Sequence, residues 1–190
     1  MLPDLPTSNR DKLIGVFIGV LAVILAICSL GAGNAAQNAM LSNIEASNTW
    51  AFFQAKNARR HALRLHADEL DLMLKSPAGL TEDARKLAET RLADYREQDK
   101  KLTSDKERNE GLDELFVKGK ALEATRDDAL KRGPYFDYGQ ALLQIAIVLA
   151  SVAIISGGNL LLAASVLAGL IGAAATLGGF TLAFALPFIG

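Results

Sequence analysis

Three long apolar runs and one charged block divide the sequence. The first run, Leu13–Gly33, contains no charged residue. It supplies the roughly 20 helical residues needed to cross a bilayer core about 30 Å thick. A secretory signal peptide is the alternative, because Arg10 and Lys12 precede the run, but such peptides carry an apolar part of only about 7–15 residues. We therefore predict an N-terminal tail over residues 1–12 and a first transmembrane helix over 13–33.

Two further apolar runs, Ala141–Ile155 and Leu160–Leu186, lie near the C-terminus. A short Ser-Gly-Gly-Asn segment separates them, which is typical of a turn. Aromatic residues from Tyr135 to Tyr138 precede the pair, as expected where a chain enters the membrane interface. The pattern predicts a transmembrane hairpin over residues 135–190, with helices at about 138–156 and 160–186. One long re-entrant or surface-lying segment is the alternative.

The charged block, residues 34–134, contains 18 of the 20 Lys and Arg residues. No Pro or Gly interrupts residues 34–75, and a breaker cluster, Ser76–Leu80, follows before Thr81, a suitable N-cap. A short connection between long helices predicts an antiparallel pair. We expect a coiled-coil-like stalk with helices at about 34–75 and 81–132. Because the second leg is about ten residues longer, we expect part of Lys118–Arg132 to bend or to lie along the membrane surface.

One face of the first stalk helix reads as apolar, with spacings that alternate between three and four residues. Its members are Ala36, Met40, Ile44, Ser47, Ala51, Ala55, Ala58, Ala62 and Leu65. This face is narrow and rich in alanine, so it predicts a closely approaching partner helix. In the second leg, residues 103–111 contain no apolar side chain, which indicates a solvated, frayed or bent segment.

Small residues line one face of each of two predicted spans. They are Gly15, Gly19, Ala22 and Ala26 in the first span, and Ala164, Ala168 and Gly172 in the third. Such residues let helix backbones approach closely in lipid, either within a subunit or between subunits. The simpler interpretation is that Gly and Ala are common in membrane helices.

Charge and composition exclude several functions. The formal net charge is −1, and the stalk carries equal numbers of acidic and basic residues, which argues against nucleic acid as a partner. His61 and His66 are five residues apart, so they do not form a helical metal-binding pair. The only cysteine, Cys28, has no neighbouring base. We expect no enzyme activity, no cofactor and no metal.

Two stretches of the sequence are similar to a known family. They are Asn48–Lys56, with the pattern W-A-x-x-Q-A-K, and Tyr135–Ala150 at the start of the second span. Together with the order of the elements, they make the chain resemble the bacterial membrane proteins of domain of unknown function 4337. The resemblance implies a bacterial origin and an inner-membrane location, and it brings no activity with it.

Trp50, Phe52, Phe53 and Ala55 form the most distinctive part of the stalk. Trp50 follows the first span by about 17 residues, or about 25 Å of helix, which is beyond the membrane interface. These side chains therefore pack either within the hairpin, or on a neighbouring subunit or another protein. A two-helix hairpin has little room for three large aromatic rings, which favours a subunit interface.

The sequence thus predicts an all-α, membrane-anchored structural or scaffold protein that forms a homo-oligomer in the lipid bilayer. One alternative is a pore or transport accessory lined by Gln144, Ser151 or Thr176. Another is an auxiliary subunit of a larger complex with a different membrane protein. Because Arg10 and Lys12 precede the first span, we expect a cytoplasmic N-terminus and a periplasmic stalk.

Overall fold

The computed structural model describes residues 9–76 and 79–183, and this part of the chain is all-α. It contains four helices: α1 (Asn9–Lys75), α2 (Glu82–Thr103), α3 (Leu112–Ser156) and α4 (Asn159–Thr181). Helices α1, α3 and α4 are each long and apolar enough to cross a membrane. These observations confirm the predicted fold class.

The chain forms two compact units, which are described separately. The membrane unit combines the residues up to Met40 with those from Arg126 onward, and the stalk unit is Leu41–Thr125. In the membrane unit, α1 places a buried residue at every seventh position, and α3 buries one face at spacings of three and four. The α1 residues at this seven-residue spacing are Ile14, Leu21, Cys28 and Ala35, and the buried residues of α3 include Phe136, Leu143, Ala146, Ala150 and Ala153.

Five glycines bring the helices of the membrane unit close together. A Cβ atom at Gly172 would lie 2.9 Å from Leu143 Cγ and 3.1 Å from the Leu143 backbone nitrogen. A Cβ atom at Gly179 would lie 2.7 Å from the ring of Phe136. The other three glycines with such contacts to neighbouring helices are Gly31, Gly139 and Gly169. The helices can approach this closely because glycine has no side chain, as expected for helices that associate in lipid.

Polar groups inside the membrane unit are hydrogen-bonded, as burial away from water requires. The Ser165 hydroxyl donates to the Ala146 carbonyl across 2.6 Å, which joins α4 to α3. The Cys28 thiol donates to the Phe136 carbonyl at 3.4 Å, which joins α1 to α3. The buried Ser165 hydroxyl and the buried Cys28 thiol thus each have a hydrogen-bond acceptor on a neighbouring helix.

Two arginines mark the opposite ends of α4. Arg10 donates to the Asn159 side-chain oxygen at 3.1 Å, at the first residue of α4. Arg132 donates to the carbonyls of Gly179 and Phe180 at 3.0 and 2.6 Å, where the helix dipole favours a cation. The start of α1 therefore lies at the end of this unit where α4 begins, and α1 runs antiparallel to α3.

The second leg of the stalk differs from the single helix expected over 81–132. Thr81 does cap α2, since its hydroxyl accepts from the Ala84 N–H at 3.3 Å. However, α2 ends at Thr103 and α3 begins at Leu112, so residues 104–111 interrupt the leg. Residues 118–132 all lie within α3. Because α3 continues through Pro134, Gly133-Pro134 is not a helix end.

The break has a defined hydrogen-bonded structure. The Glu114 carboxylate accepts from the Ser104 hydroxyl at 2.6 Å and from the Asp105 N–H at 3.1 Å. These bonds lower the pKa of Glu114 below its ordinary value. Asn109 adopts a left-handed conformation with φ of 55°. A Cβ atom at Gly111 would collide with Glu114 and with the backbone of Ser104 and Asp105, so only glycine fits there.

Candidate interaction surfaces

Three aromatic side chains meet inside the stalk unit. The Trp50 ring centroid lies 5.6 Å from that of Phe53 and 5.7 Å from that of Phe116, both in edge-on geometry. The Trp50 Nε1–H donates to the Glu123 carboxylate at 2.9 Å. The indole also lies against Gly119, where a Cβ atom would be 2.8 Å from it. Trp50 and Phe53 therefore pack against α3 of the same chain.

Phe52 and Ala55 do not share this cluster. Phe52 is 42% exposed, and the Lys56 ammonium lies 4.6 Å from its ring centroid. Ala55 is also exposed. The structure thus separates the four predicted stalk residues into two that pack within the hairpin and two that lie on its surface.

The apolar face predicted for the first stalk helix is not the buried one. All nine of its members, from Ala36 to Leu65, are exposed. The inner seam, by which α1 packs in the stalk unit, instead consists of Ser42, Ala46, Thr49, Phe53, Lys56, Arg60, Leu63, Ala67, Leu70 and Leu74. Spacing alone did not identify the face that packs within the chain, because both faces have alternating three- and four-residue spacings. The inner seam includes two cations whose long aliphatic stems bury well.

Ion pairs join α1 to the second leg. Arg64 makes a bidentate contact with Asp99 at 2.8 and 3.1 Å. The hydrogen bond from Arg64 lowers the pKa of Asp99 below its ordinary value. Lys56 contacts the Glu110 carboxylate at 3.4 Å, and Arg96 contacts Asp71 at 3.5 Å. Such pairs are consistent with a single register of the hairpin, and because they are exposed to solvent each one contributes little to its stability.

The small-residue faces of the spans have different environments. Gly15 and Gly19 have no atom within 4 Å of an added Cβ, and Ala22 and Ala26 are exposed. This stripe therefore faces outward from the membrane unit.

The stripe on α4 faces partly inward. Gly172 is buried between α3 and α4, Ala168 packs against the core cluster, and Ala164 is exposed. Only the α1 stripe is thus left wholly without an internal partner.

Polar side chains of α3 lie beside the outward stripe of α1. The Gln140 amide donates to the Ser29 hydroxyl at 2.6 Å, which joins these two helix flanks. One turn further along α3 lies Gln144, and because the helices are antiparallel it stands near the level of Ala26. Gln144 is exposed, and its amide makes no hydrogen bond within the described residues. Ser151, on the same flank, donates to its own helix at Ile147.

The remaining polar candidates are dispersed. Thr176 is buried and donates to the Gly172 carbonyl of its own helix at 2.9 Å. His66 contacts Glu69 at 3.3 Å on the exposed side of α1. Within residues 9–76 and 79–183, no group of three His, Cys, Asp or Glu side chains is placed to hold a metal ion. The spacing pattern could have revealed the inner seam of α1, because alternating three- and four-residue spacings repeat over its ten positions.

A family model described as "Domain of unknown function (DUF4337)" matches residues 10–182. The match covers both units and all four helices. No curated protein and no solved structure matches the chain.

Proposed function

Since the chain belongs to the family of domain of unknown function 4337, whose description assigns no activity, we propose a function from its own residues. It is a membrane-anchored scaffold protein that self-associates into a homo-oligomer within the bilayer. Three helices long and apolar enough to cross a membrane support the anchoring. The proposal assigns no catalytic role to any residue and requires no cofactor.

The Gln144 amide carries the proposal of self-association. It lies within the apolar part of α3 on an exposed flank and has no hydrogen-bond partner among the described residues. An amide that faces lipid without a partner is unfavourable, whereas a hydrogen bond across a helix pair stabilises association by about 1 kcal/mol. The stripe of small residues on α1, with Ala26 near the level of Gln144 and Gly15 and Gly19 further along it, lets a second helix approach closely. A second copy of the chain supplies both a small-residue face and a matching amide.

The decisive experiment is the mass of the intact particle in native nanodiscs. We expect one mass at an integer multiple of 20.2 kDa with no other protein present. Gln144→Leu should weaken the particle, whereas Ser151→Ala should not, because the Ser151 hydroxyl bonds to its own helix. A monomer would overturn the proposal. A particle whose mass requires a second protein would favour an auxiliary subunit of a larger complex.

A conduction path is the second candidate, because Gln144 and Ser151 share one exposed flank of α3. Thr176 is buried inside the membrane unit, so it is no longer a candidate lining residue. Purified protein in planar bilayers should then conduct ions, and Gln144→Leu should change that conductance. Absence of conductance would leave the scaffold as the better explanation.

We propose the bacterial inner membrane as the location, with the N-terminus in the cytoplasm and the stalk in the periplasm. Arg10 and Lys12 before the first span support this orientation. In a Cys28→Ser background, a Gly79→Cys variant should react with an impermeant thiol reagent in intact spheroplasts. Reaction only after lysis would place the stalk in the cytoplasm.

A further inference from the structure

The exposed face of α1 in the stalk unit has a regular pattern of its own. We call this face the outer seam: Leu41, Ile44, Asn48, Ala51, Ala55, Ala58, Ala62, Leu65, Glu69 and Leu72. Spacings along it alternate between three and four residues, and all ten members are exposed. Each member after Leu41 follows a residue of the inner seam by two positions, or about 200° around the helix. Helix α1 therefore has two opposite faces with the heptad spacing of a coiled coil.

We propose that the outer seam is the core of a parallel, in-register two-stranded coiled coil between two copies of this chain. The inference rests on the proposed self-association and adds the surface, the direction and the register of the contact outside the bilayer. The pattern points to a helix as the occupant, since a seam with 3.5-residue periodicity fits a supercoiled partner helix.

Exposure of the seam supports this assignment. Leu65 and Leu72 are 65% and 69% exposed, and Leu41 is 51% exposed. These residues lie beyond the apolar run that ends at Gly33, so lipid does not cover them. Between Ile44 and Leu65 the apolar members are alanines, which allow two helix backbones to approach closely.

The bilayer accounts for the parallel direction. Copies inserted with the same orientation leave the membrane at the same level, so equivalent residues lie at equal distances from it. In this arrangement the flanking contacts join Met40 to Glu45, Ser47 to Phe52, Gln54 to Arg59, His61 to His66, and Asp68 to Met73 of the second copy. None of these contacts opposes two carboxylates or two Lys or Arg side chains, so the flanks are compatible with self-pairing.

Asn48 identifies the register. It occupies the first core position of its heptad, equivalent to Ala55 and Ala62, and its side chain makes no hydrogen bond within the described residues. Asparagine at a single core position of this kind specifies two strands and a fixed register, because only an in-register partner offers a matching amide. Glu69 occupies an equivalent core position near the end of α1, where it contacts His66. An in-register pair would place two Glu69 carboxylates opposite each other there, so we expect close pairing from Leu41 to Leu65 and a looser contact beyond it.

Disulfide crosslinking in native nanodiscs tests the contact directly. In a Cys28→Ser background, Ala55→Cys and Ala62→Cys should each give a disulfide-linked dimer, because core positions of one register lie within disulfide reach. Ala93→Cys on α2 and Ala124→Cys on α3 are matched controls, since both alanines are exposed and lie off the seam. Crosslinking at 55 and 62 but not at the controls is the expected result. No dimer at either seam position, or equal yields at the controls, would overturn the inference.

A second comparison tests the role of Asn48. Asn48→Asp would oppose two carboxylates in the core, so the crosslinking yield of Ala62→Cys should fall at least about tenfold. Ala124→Asp should leave the yield unchanged. An unchanged yield with Asn48→Asp would exclude the proposed register. An oligomeric particle without seam crosslinks would refute this inference alone, whereas a monomeric particle would refute the proposed function as well.

Discussion

Substitution of Gly119 by alanine tests the packing of Trp50 against α3. A Cβ atom at position 119 would lie 2.8 Å from the indole Cζ2 and 2.9 Å from Cε2. Real Cβ atoms essentially never approach other heavy atoms so closely, so the indole must move. That movement would also lengthen the 2.9 Å hydrogen bond from Trp50 Nε1 to Glu123.

Two opposing effects determine the magnitude. Alanine in the interior of a helix is more favourable than glycine by about 0.5–1 kcal/mol. Overpacking a filled site costs about 1–3 kcal/mol. The net expectation for Gly119→Ala is a decrease of about 1 kcal/mol in the free energy of unfolding of the stalk. With Trp50→Leu as the background, the smaller side chain accommodates the methyl group, and the same change should stabilise the stalk.

Urea unfolding followed by far-ultraviolet circular dichroism measures this double-mutant cycle. Because Trp50 is the only tryptophan, its fluorescence reports the displacement of the indole in the single variant. We expect a coupling of at least about 1 kcal/mol between positions 50 and 119, as is usual for residues in contact. Equal stabilisation by Gly119→Ala in both backgrounds would refute the proposed contact.

The remaining predictions concern other parts of the fold. Gly172→Ala should destabilise the contact between α3 and α4, because its Cβ would lie 3.1 Å from the Leu143 backbone nitrogen. The expected loss is about 1–3 kcal/mol before any gain in helix propensity. Steric-trap unfolding in bicelles would measure this loss, and a stabilised variant would contradict the prediction. Hydrogen bonds from Ser104 and Asp105 hold the pKa of Glu114 below its ordinary value of 4.5, so the stability they add is present above that pH and is lost as the pH falls through the lowered pKa. Protection of residues 104–111 against hydrogen exchange, measured relative to the intrinsic exchange rate, should therefore decrease in the wild type as the pH falls through the lowered pKa. Glu114→Gln should lack this loss of protection.

The sequence predicted the helical class, the apolar spans and the N-cap at Thr81, because length and local hydrogen bonding determine these features. It did not predict which face of α1 is buried. Hydrophobicity favoured the alanine-rich face, whereas the inner seam includes Lys56 and Arg60. The Lys56 ammonium contacts Glu110, and Arg60 Nη2 donates to Asn57, although the buried Arg60 Nε has no partner among the described residues. The break at 104–111 was visible only as a segment without apolar residues. Its hydrogen bonds depend on Glu114, which local sequence patterns do not connect with Ser104.

The candidate surfaces were predicted unevenly. Trp50 was recognised as a contact residue, but the choice between the hairpin and another subunit depended on Gly119 and Glu123, which are about 70 residues away. The outward stripe at Gly15 and Gly19 was predicted from its small residues, whereas its lack of an internal partner became evident only from the packing. Likewise, the position of Gln144 beside that stripe followed from the Ser29–Gln140 hydrogen bond.

The glycine contacts of the membrane unit affect how this chain can vary during evolution. In a water-soluble core, the most damaging substitutions usually remove volume and leave a cavity. Here Gly31, Gly139, Gly169, Gly172 and Gly179 occupy positions where even one added carbon meets a neighbouring helix. Lineages should therefore exchange the large lipid-facing residues freely among Leu, Ile and Val while these five positions stay small. The five glycines, which have no side chain, would then be under stronger purifying selection than the large apolar residues around them.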